Sequence, residues 1–121
     1  MENDSFLNLY QKACQRTKGE YSSRKEEIMM WGLGIAGEAA DVASCIKKTY
    51  GHDNDQILGI KENLGDTMWY IAMICNFYGW NMEDVCRANI EKLKQRYPQG
   101  FNYADAGRGG TMVDWNEQDG E

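Results

Sequence analysis

Proline, histidine and long apolar runs are scarce in this chain of 121 residues. The single proline, Pro98, lies near the end of the patterned region, which leaves room for long uninterrupted helices. The single histidine, and four cysteines without a CxxC pair, argue against a zinc site. No run reaches the roughly 18 apolar residues that a membrane helix needs, and the first residues do not resemble a signal peptide. We therefore expect a cytoplasmic protein without a membrane partner.

Positive charge is also in short supply. The formal net charge is −6, which argues against nucleic acid as the main partner because nucleic acid requires a basic surface. A small anionic substrate remains compatible, since a bound metal ion inverts the local charge. Apolar residues make up 42% of the chain and aromatic residues 12%, which is typical of a globular domain with its own core.

Apolar residues recur at helical spacing in four stretches, which predicts an all-α fold. The predicted helices span about residues 5–17, 24–50, 56–78 and 82–97. Ser22 and Ser23, followed by Glu26, form a capping-box pattern at the start of the second helix. Asn54 or Asp55 is the predicted N-cap of the third.

The third helix contains a stretch, residues 68–77, in which only Asn76 is strongly polar. A helix that is apolar on every side is buried on every side, and a bundle this small cannot cover it alone. We therefore expect a dimer interface. Beyond Pro98 the chain is rich in Gly, Asp and Asn, which predicts a helical domain at residues 1–101 and a flexible or irregular tail at 102–121.

Two acidic clusters interrupt the apolar stripes of the second and third helices. Glu38 and Asp41 share one helix face, as do Glu62 and Asp66, because residues three or four apart point the same way. Brought together, these carboxylates are costly to bury without compensation. A divalent cation with oxygen ligands compensates them, and Mg²⁺ suits carboxylates, with Mn²⁺ as a substitute.

Small residues surround Glu38. On their own, they are explained equally well by close packing of a neighbouring helix and by a functional site. A glutamate inside an apolar stripe favours the site, because breaks of the local pattern tend to mark function. A di-iron bundle would need Glu-x-x-His pairs, which no predicted helix contains. Oxygen-only ligands point to Mg²⁺ and phosphoryl chemistry, and no P-loop, kinase motif set or catalytic triad is visible.

Three segments of the chain resemble the MazG-like all-α nucleoside triphosphate pyrophosphohydrolases. They are GIAGEAADV at 34–42, LGDTMWYIA at 64–72, and Asn89-x-x-Lys92-Leu93-x-x-Arg96-Tyr97-Pro98, in the family's order and spacing. The resemblance covers about residues 28–101. It implies a four-helix bundle that assembles as a homodimer or homotetramer. It also implies Mg²⁺-dependent cleavage of a (d)NTP to (d)NMP and pyrophosphate. We expect the task to be nucleotide-pool cleaning, and a role in a viral life cycle is the open alternative.

The same resemblance assigns metal ligands through the family's Glu-x-x-Glu and Glu-x-x-Asp patterns. Glu38 and Asp41 match the first pattern, Asp41 with a shorter arm, and Asp66 matches the end of the second. Asn63 stands where the second pattern has glutamate, and an amide brings neither charge nor a base. We expect Glu62, one residue earlier, to substitute in part. Glu38 or Glu62 would orient or deprotonate the attacking water.

Basic and aromatic residues are the candidates for holding the triphosphate. The predicted substrate-binding residues are Lys47, Lys48, Trp69, Tyr70, Asn89, Lys92 and Arg96. The cations would neutralise phosphate oxygens, the amide would bind a phosphate or the sugar, and an aromatic ring would stack on the base. For each aromatic residue, including Trp31, a core role is the favoured interpretation, whereas each lysine fits a solvated face as well as a phosphate site.

Two further interpretations remain open. The uncharged Asn63 supports a non-catalytic, nucleotide-binding regulator on the same fold. The other is a structural helical oligomer whose acidic faces are solvated, which would bind neither Mg²⁺ nor nucleotides.

Overall fold

A computed structural model describes residues 4–100 of the chain. Within this range the helices are α1 (Phe6–Gln15), α2 (Arg24–Gly51), α3 (Ile57–Tyr78) and α4 (Met82–Arg96). The predicted all-α fold is confirmed, and every predicted helix is present with its ends shifted by two residues or fewer. The predicted tail lies outside the described residues. None of the described helices is long and apolar enough to cross a membrane.

Side-chain caps explain where α1 and α2 begin. Ser5 Oγ accepts the Asn8 N–H at 3.2 Å, and Ser23 Oγ accepts the Glu26 N–H at 3.0 Å. The Glu26 carboxylate in turn accepts the hydroxyl of Ser22 at 2.6 Å and its N–H at 3.4 Å. These two bonds lower the pKa of Glu26, the hydroxyl bond contributing most. The predicted capping box is thus confirmed, with the return bond made to Ser22 rather than to the N-cap itself.

The ends of α3 follow different rules. Its N-cap is Gln56, without a side-chain capping bond, so the prediction of Asn54 or Asp55 in that position is wrong. The Asp55 carboxylate nevertheless accepts the Ile57 N–H at 3.0 Å from one residue further out. At the other end Gly79 has φ +73°, a left-handed conformation that glycine adopts without strain and that closes the helix.

The chain forms two compact units, the first ending at Met82 and the second beginning at Glu83. In the first unit, α1 and α2 both pack on α3. Its buried apolar residues are Cys14, Trp31, Ala72, Met73, Cys75 and Met82. Trp31 meets Tyr21 and Trp69 edge to face, with ring centroids 5.1 and 5.3 Å apart, and such pairs add about 0.5–1.5 kcal/mol each beyond burial.

A buried amide joins α1 to the end of α3. Gln11 Nε2 donates to Asn76 Oδ1 at 2.9 Å and to the Trp80 carbonyl at 2.8 Å, while its Oε1 accepts the Met82 N–H at 2.7 Å. Asn76 Nδ2 donates back to the Gln11 carbonyl at 3.3 Å. The one strongly polar residue of the apolar stretch in α3 is therefore the partner of the one buried polar residue of α1.

Residues 4–100 do not fully cover the apolar stretch of α3. Ala72, Met73 and Cys75 are buried, whereas Met68 is exposed. Further exposed apolar residues on α2 and α3 are Met29, Met30, Leu33, Ile57, Leu58 and Leu64. Incomplete cover by residues 4–100 agrees with the expectation that one small bundle cannot bury this helix, and the oligomer that would complete its burial stays a prediction.

Candidate functional site

Two close contacts define how α2 and α3 lie against each other. Gly34 on α2 lies against the ring of Tyr70, and Gly59 on α3 lies against the sulfur of Cys45. From the first contact to the second, the residue number rises from 34 to 45 in α2 and falls from 70 to 59 in α3, so the helices run antiparallel.

This register brings the predicted metal ligands to matching levels. Glu38 comes four residues after Gly34, and Asp66 comes four residues before Tyr70, so the two carboxylates lie at the same level along the helix pair. By the same argument Asp41 and Asn63 lie level with each other, between Glu38 and the contact made by Gly59. The two acidic clusters predicted from sequence therefore belong to one region of the α2–α3 pair.

Three other acidic side chains act electrostatically on Glu38. Glu38 is half-buried, and the other three, Asp41, Glu62 and Asp66, are exposed. The pKa of Glu38 is raised above its ordinary value, first by desolvation and then by the negative charges of Asp66, Asp41 and Glu62, in that order. The largest of these charge effects comes from Asp66 on the opposite helix, which agrees with the register.

The carboxylates are suitable ligands for a hard cation, but they are not arranged around a cation position in this structure. Among residues 4–100, no three Asp, Glu, Cys or His side chains lie close enough to hold a metal ion as they stand. Oxygen-only donors that repel one another are the set that Mg²⁺ and Mn²⁺ prefer. Three of the four carboxylates are exposed, so packing does not hold their side chains, and their convergence on a cation stays a prediction.

The two candidates for the third ligand position, Glu62 and Asn63, have different surroundings. Asn63 Nδ2 donates to Cys45 Sγ at 3.5 Å, so its amide is directed at α2 beside the Gly59 contact. Glu62 instead contributes to the raised pKa of Glu38. The geometry thus favours Glu62 as the substitute ligand, and that role stays a prediction.

Tyr10 on α1 is a neighbour of the acidic cluster that was not among the predicted site residues. Its hydroxyl donates to the Gly65 carbonyl at 3.5 Å, beside Asp66. Burial raises the pKa of Tyr10 to about 12, and contacts with Cys14 and the charge of Asp66 act in the same direction. The phenol therefore keeps its proton at neutral pH. Only the packing of α1 on α3, which no one-dimensional pattern contains, brings it here.

The predicted base-stacking residues lie in the aromatic cluster of the first unit. Trp69 and Tyr70 meet edge to face with centroids 5.0 Å apart, and Trp69 Nε1 donates to Thr17 Oγ1 at 2.7 Å. Both are half-buried. This packing is what a core role predicts, and stacking on a base stays a prediction.

The predicted phosphate ligands fall into two groups. Lys47 and Lys48 are exposed near the end of α2, the helix that carries Glu38. Asn89 and Lys92 are exposed on α4, in the second unit. Arg96, also on α4, is half-buried, and its guanidinium carbon lies 5.2 Å from the centroid of the neighbouring Tyr97 ring. Their roles as substrate ligands stay predictions.

The described residues thus form an all-α chain with carboxylates level with each other on two antiparallel helices, and comparison with known proteins identifies the family. A family model described as the MazG nucleotide pyrophosphohydrolase domain matches residues 26–101, and the chain belongs to this family. The resemblance predicted from sequence is therefore confirmed.

A curated relative is the Gene 37 protein of Mycobacterium phage L5, which is 31% identical over 74 residues. The match covers 56% of this chain and 64% of the relative, which is less than two thirds of its length. No solved structure matches the chain.

Proposed function

We propose that the chain is a Mg²⁺-dependent nucleoside triphosphate pyrophosphohydrolase, which converts a (d)NTP to the (d)NMP and pyrophosphate and serves nucleotide-pool cleaning. The observation that carries the proposal is the level placement of Glu38 and Asp66 across α2 and α3. The raised pKa of Glu38 supports it, since it reflects the charge of Asp66. Membership of a nucleotide pyrophosphohydrolase family supports the general reaction.

The proposed ligands of Mg²⁺, or of Mn²⁺ as a substitute, are Glu38, Asp41, Glu62 and Asp66, with Asn63 as the alternative to Glu62. When bound, such an ion neutralises phosphate charge and lowers the pKa of water. This matters in a chain of net charge −6, which would otherwise repel a triphosphate.

In the proposed reaction the oxygen of a water molecule forms a bond to phosphorus as the α–β phosphoanhydride bond breaks. Pyrophosphate leaves with the electron pair of that bond, and the water gives its proton to Glu38 or Glu62. A raised pKa makes Glu38 a better proton acceptor than an ordinary glutamate. The role of the side chains is thus to orient the water and receive its proton.

Seven further residues are proposed to bind the substrate. They are Lys47, Lys48, Lys92 and Arg96 for the phosphate oxygens, Asn89 for a phosphate or the sugar, and Trp69 and Tyr70 for the base. Guanidinium and ammonium donors suit phosphate because they combine charge with hydrogen bonding.

Assembly as a homodimer or homotetramer is part of the proposal. Leu33 on α2 is 68% exposed and Leu58 on α3 is 82% exposed, and both belong to a larger exposed apolar set on these helices. Apolar surface of this kind is stabilised when a second copy covers it. Analytical ultracentrifugation at several protein concentrations measures the assembly directly, and a monomer at all of them would contradict it.

A panel of nucleoside triphosphates with Mg²⁺, scored separately for pyrophosphate and orthophosphate, tests the reaction. We expect equal amounts of pyrophosphate and nucleoside monophosphate, and no turnover in EDTA. Orthophosphate as the product would assign the chain to another hydrolase reaction.

The direction of the Asn63 amide towards Cys45 favours one second candidate, a non-catalytic nucleotide-binding regulator. It predicts Mg²⁺-dependent thermal stabilisation by triphosphates without release of either product.

A further inference from the structure

We propose that Gly34 is a positioning residue of the site. Its missing side chain lets the Tyr70 ring lie against the backbone of α2, and this contact sets the separation of α2 and α3 one turn away from Glu38 and Asp66. The consequence for cation binding rests on the proposed function, whereas the consequence for helix separation does not.

The contact leaves no room for a methyl group. A Cβ built on Gly34 would lie 2.7 Å from Tyr70 Cδ1, and the Cε1 and Cζ atoms of the ring would lie closer still. Carbon atoms reach their best separation at about 3.5–4.0 Å, so the ring and the methyl group would overlap strongly. Something must therefore move by about 1 Å when residue 34 gains a side chain.

The Tyr70 ring is hindered from moving alone. Its centroid lies 5.0 Å from that of Trp69 and 6.0 Å from that of Trp31, and Trp31 is only 2% exposed. Close-packed aromatic rings resist displacement because neighbouring groups must shift with them. Separation of the two helices is the remaining route to relieve the overlap.

Opening at Gly34 acts on the carboxylates because they are close along the helix axis. Four residues correspond to about 6 Å of helix, so Glu38 and Asp66 lie within about one turn of the contact. Cation ligands must approach to about 2.0–2.2 Å, which leaves little tolerance for a 1 Å change in helix separation. On the far side Gly59 against Cys45 is a second, looser contact, where a built Cβ would lie 3.2 Å from the sulfur.

Neighbouring glycines provide matched controls. A Cβ built on Gly32 or on Gly37, both on α2, meets nothing within 4 Å. Close approach is thus a property of Gly34 and not of every glycine in this segment. Replacing such an unhindered glycine by alanine removes flexibility from the unfolded chain, which favours the folded state.

The test compares the full-length chain with the variants Gly34→Ala, Gly32→Ala, Tyr70→Val and Gly34→Ala/Tyr70→Val. Crystal structures without added metal give the separation of the Cα atoms of residues 38 and 66. Electron paramagnetic resonance of free Mn²⁺ gives the affinity for the metal alone.

We expect Gly34→Ala to widen the Cα separation by about 1 Å and to weaken Mn²⁺ binding on the order of tenfold. Gly32→Ala should change neither quantity. In the Tyr70→Val background the ring is gone, so the added methyl group should change neither quantity relative to Tyr70→Val alone. The comparison shows whether the effect of Gly34→Ala depends on the Tyr70 ring, or is a general loss of packing around residue 34.

A Gly34→Ala chain in which the Tyr70 ring swings aside, with the Cα separation and the Mn²⁺ affinity unchanged, would overturn the proposal. A wild-type chain that fails to bind Mn²⁺ would refute the proposed metal site. In that case a wider Cα separation in Gly34→Ala alone would still support the role of Gly34 in helix separation.

If Gly34→Ala does not fold, Gly59→Ala keeps the proposal testable because its overlap with Cys45 is milder. We expect a smaller widening in the same direction, which Cys45→Ala should reverse. No widening in Gly59→Ala would contradict the idea that glycine contacts set the separation of α2 and α3.

Discussion

Replacing Gln11 by methionine should destabilise the chain far more than the same replacement at an exposed position of α1. Methionine has nearly the same length and flexibility, so it fills the site without a large cavity. It removes all three bonds of the amide, namely those to Asn76 Oδ1, to the Trp80 carbonyl and from the Met82 N–H.

The expected loss follows from the groups that are left without partners. Met82 is 1% exposed, so water cannot reach its N–H, and Asn76 is half-buried. The carbonyl of Trp80 belongs to a residue that is 53% exposed, so water can replace that bond. Two orphaned groups at about 1–3 kcal/mol each give a loss of about 2–6 kcal/mol. A loss of about 3 kcal/mol lowers Tm by roughly 10 °C in a domain of this size.

Urea and thermal unfolding followed by circular dichroism, at equal protein concentration, measure this loss. Gln15→Met is the matched control, since it makes the same change at an exposed position of α1 and should stay within about 0.5 kcal/mol of wild type. A Gln11→Met chain within about 1 kcal/mol of wild type would refute the reasoning, because orphaned buried groups cost at least that much.

Two further predictions concern Glu38 and Ser23. Because the folded chain raises the pKa of Glu38, ionisation of this group opposes folding: its favourable contribution is present at acid pH and lost as the pH rises through the raised pKa. In EDTA, Glu38→Gln should therefore have a higher Tm than wild type at neutral pH. The difference in Tm should disappear at a pH below the ordinary glutamate pKa. An equal difference in Tm at the two pH values would contradict the charge repulsion. Ser23→Ala should cost about 1 kcal/mol of unfolding free energy by removing the cap on Glu26 N–H, whereas alanine at the exposed, non-helical Glu20 should cost almost nothing.

The helices were predictable because their signals are local. Periodic apolar residues, the serines before α2 and Gly79 after α3 each act within a few positions of the chain. The N-cap of α3 was misplaced because two acidic or amide residues in a row both satisfy the pattern, and the structure uses Asp55 from outside the cap position. Local rules place a helix end only to within a residue or two.

The candidate site was predictable in its carboxylates but not in its surroundings. Glu38 stood out because it breaks an apolar stripe, and Asp66 because it shares a helix face with Glu62. The overlap that singles out Gly34 among the glycines of α2, and the approach of Tyr10 to Asp66, depend on helix packing. Residues of different helices come together only in the folded chain, so the periodicity of a single helix does not predict contacts between them.

Pyrophosphate release by the wild-type chain and by Glu38→Gln, with Mg²⁺ and a triphosphate, tests the central claim most directly. Glu20→Gln removes the same charge from the exposed segment between α1 and α2 and serves as the control. We expect Glu38→Gln to remain folded and to lose at least about 100-fold in rate, as expected for loss of a general base, while Glu20→Gln keeps the wild-type rate. A folded Glu38→Gln chain that releases pyrophosphate as fast as wild type would contradict the assignment of this carboxylate to the active site.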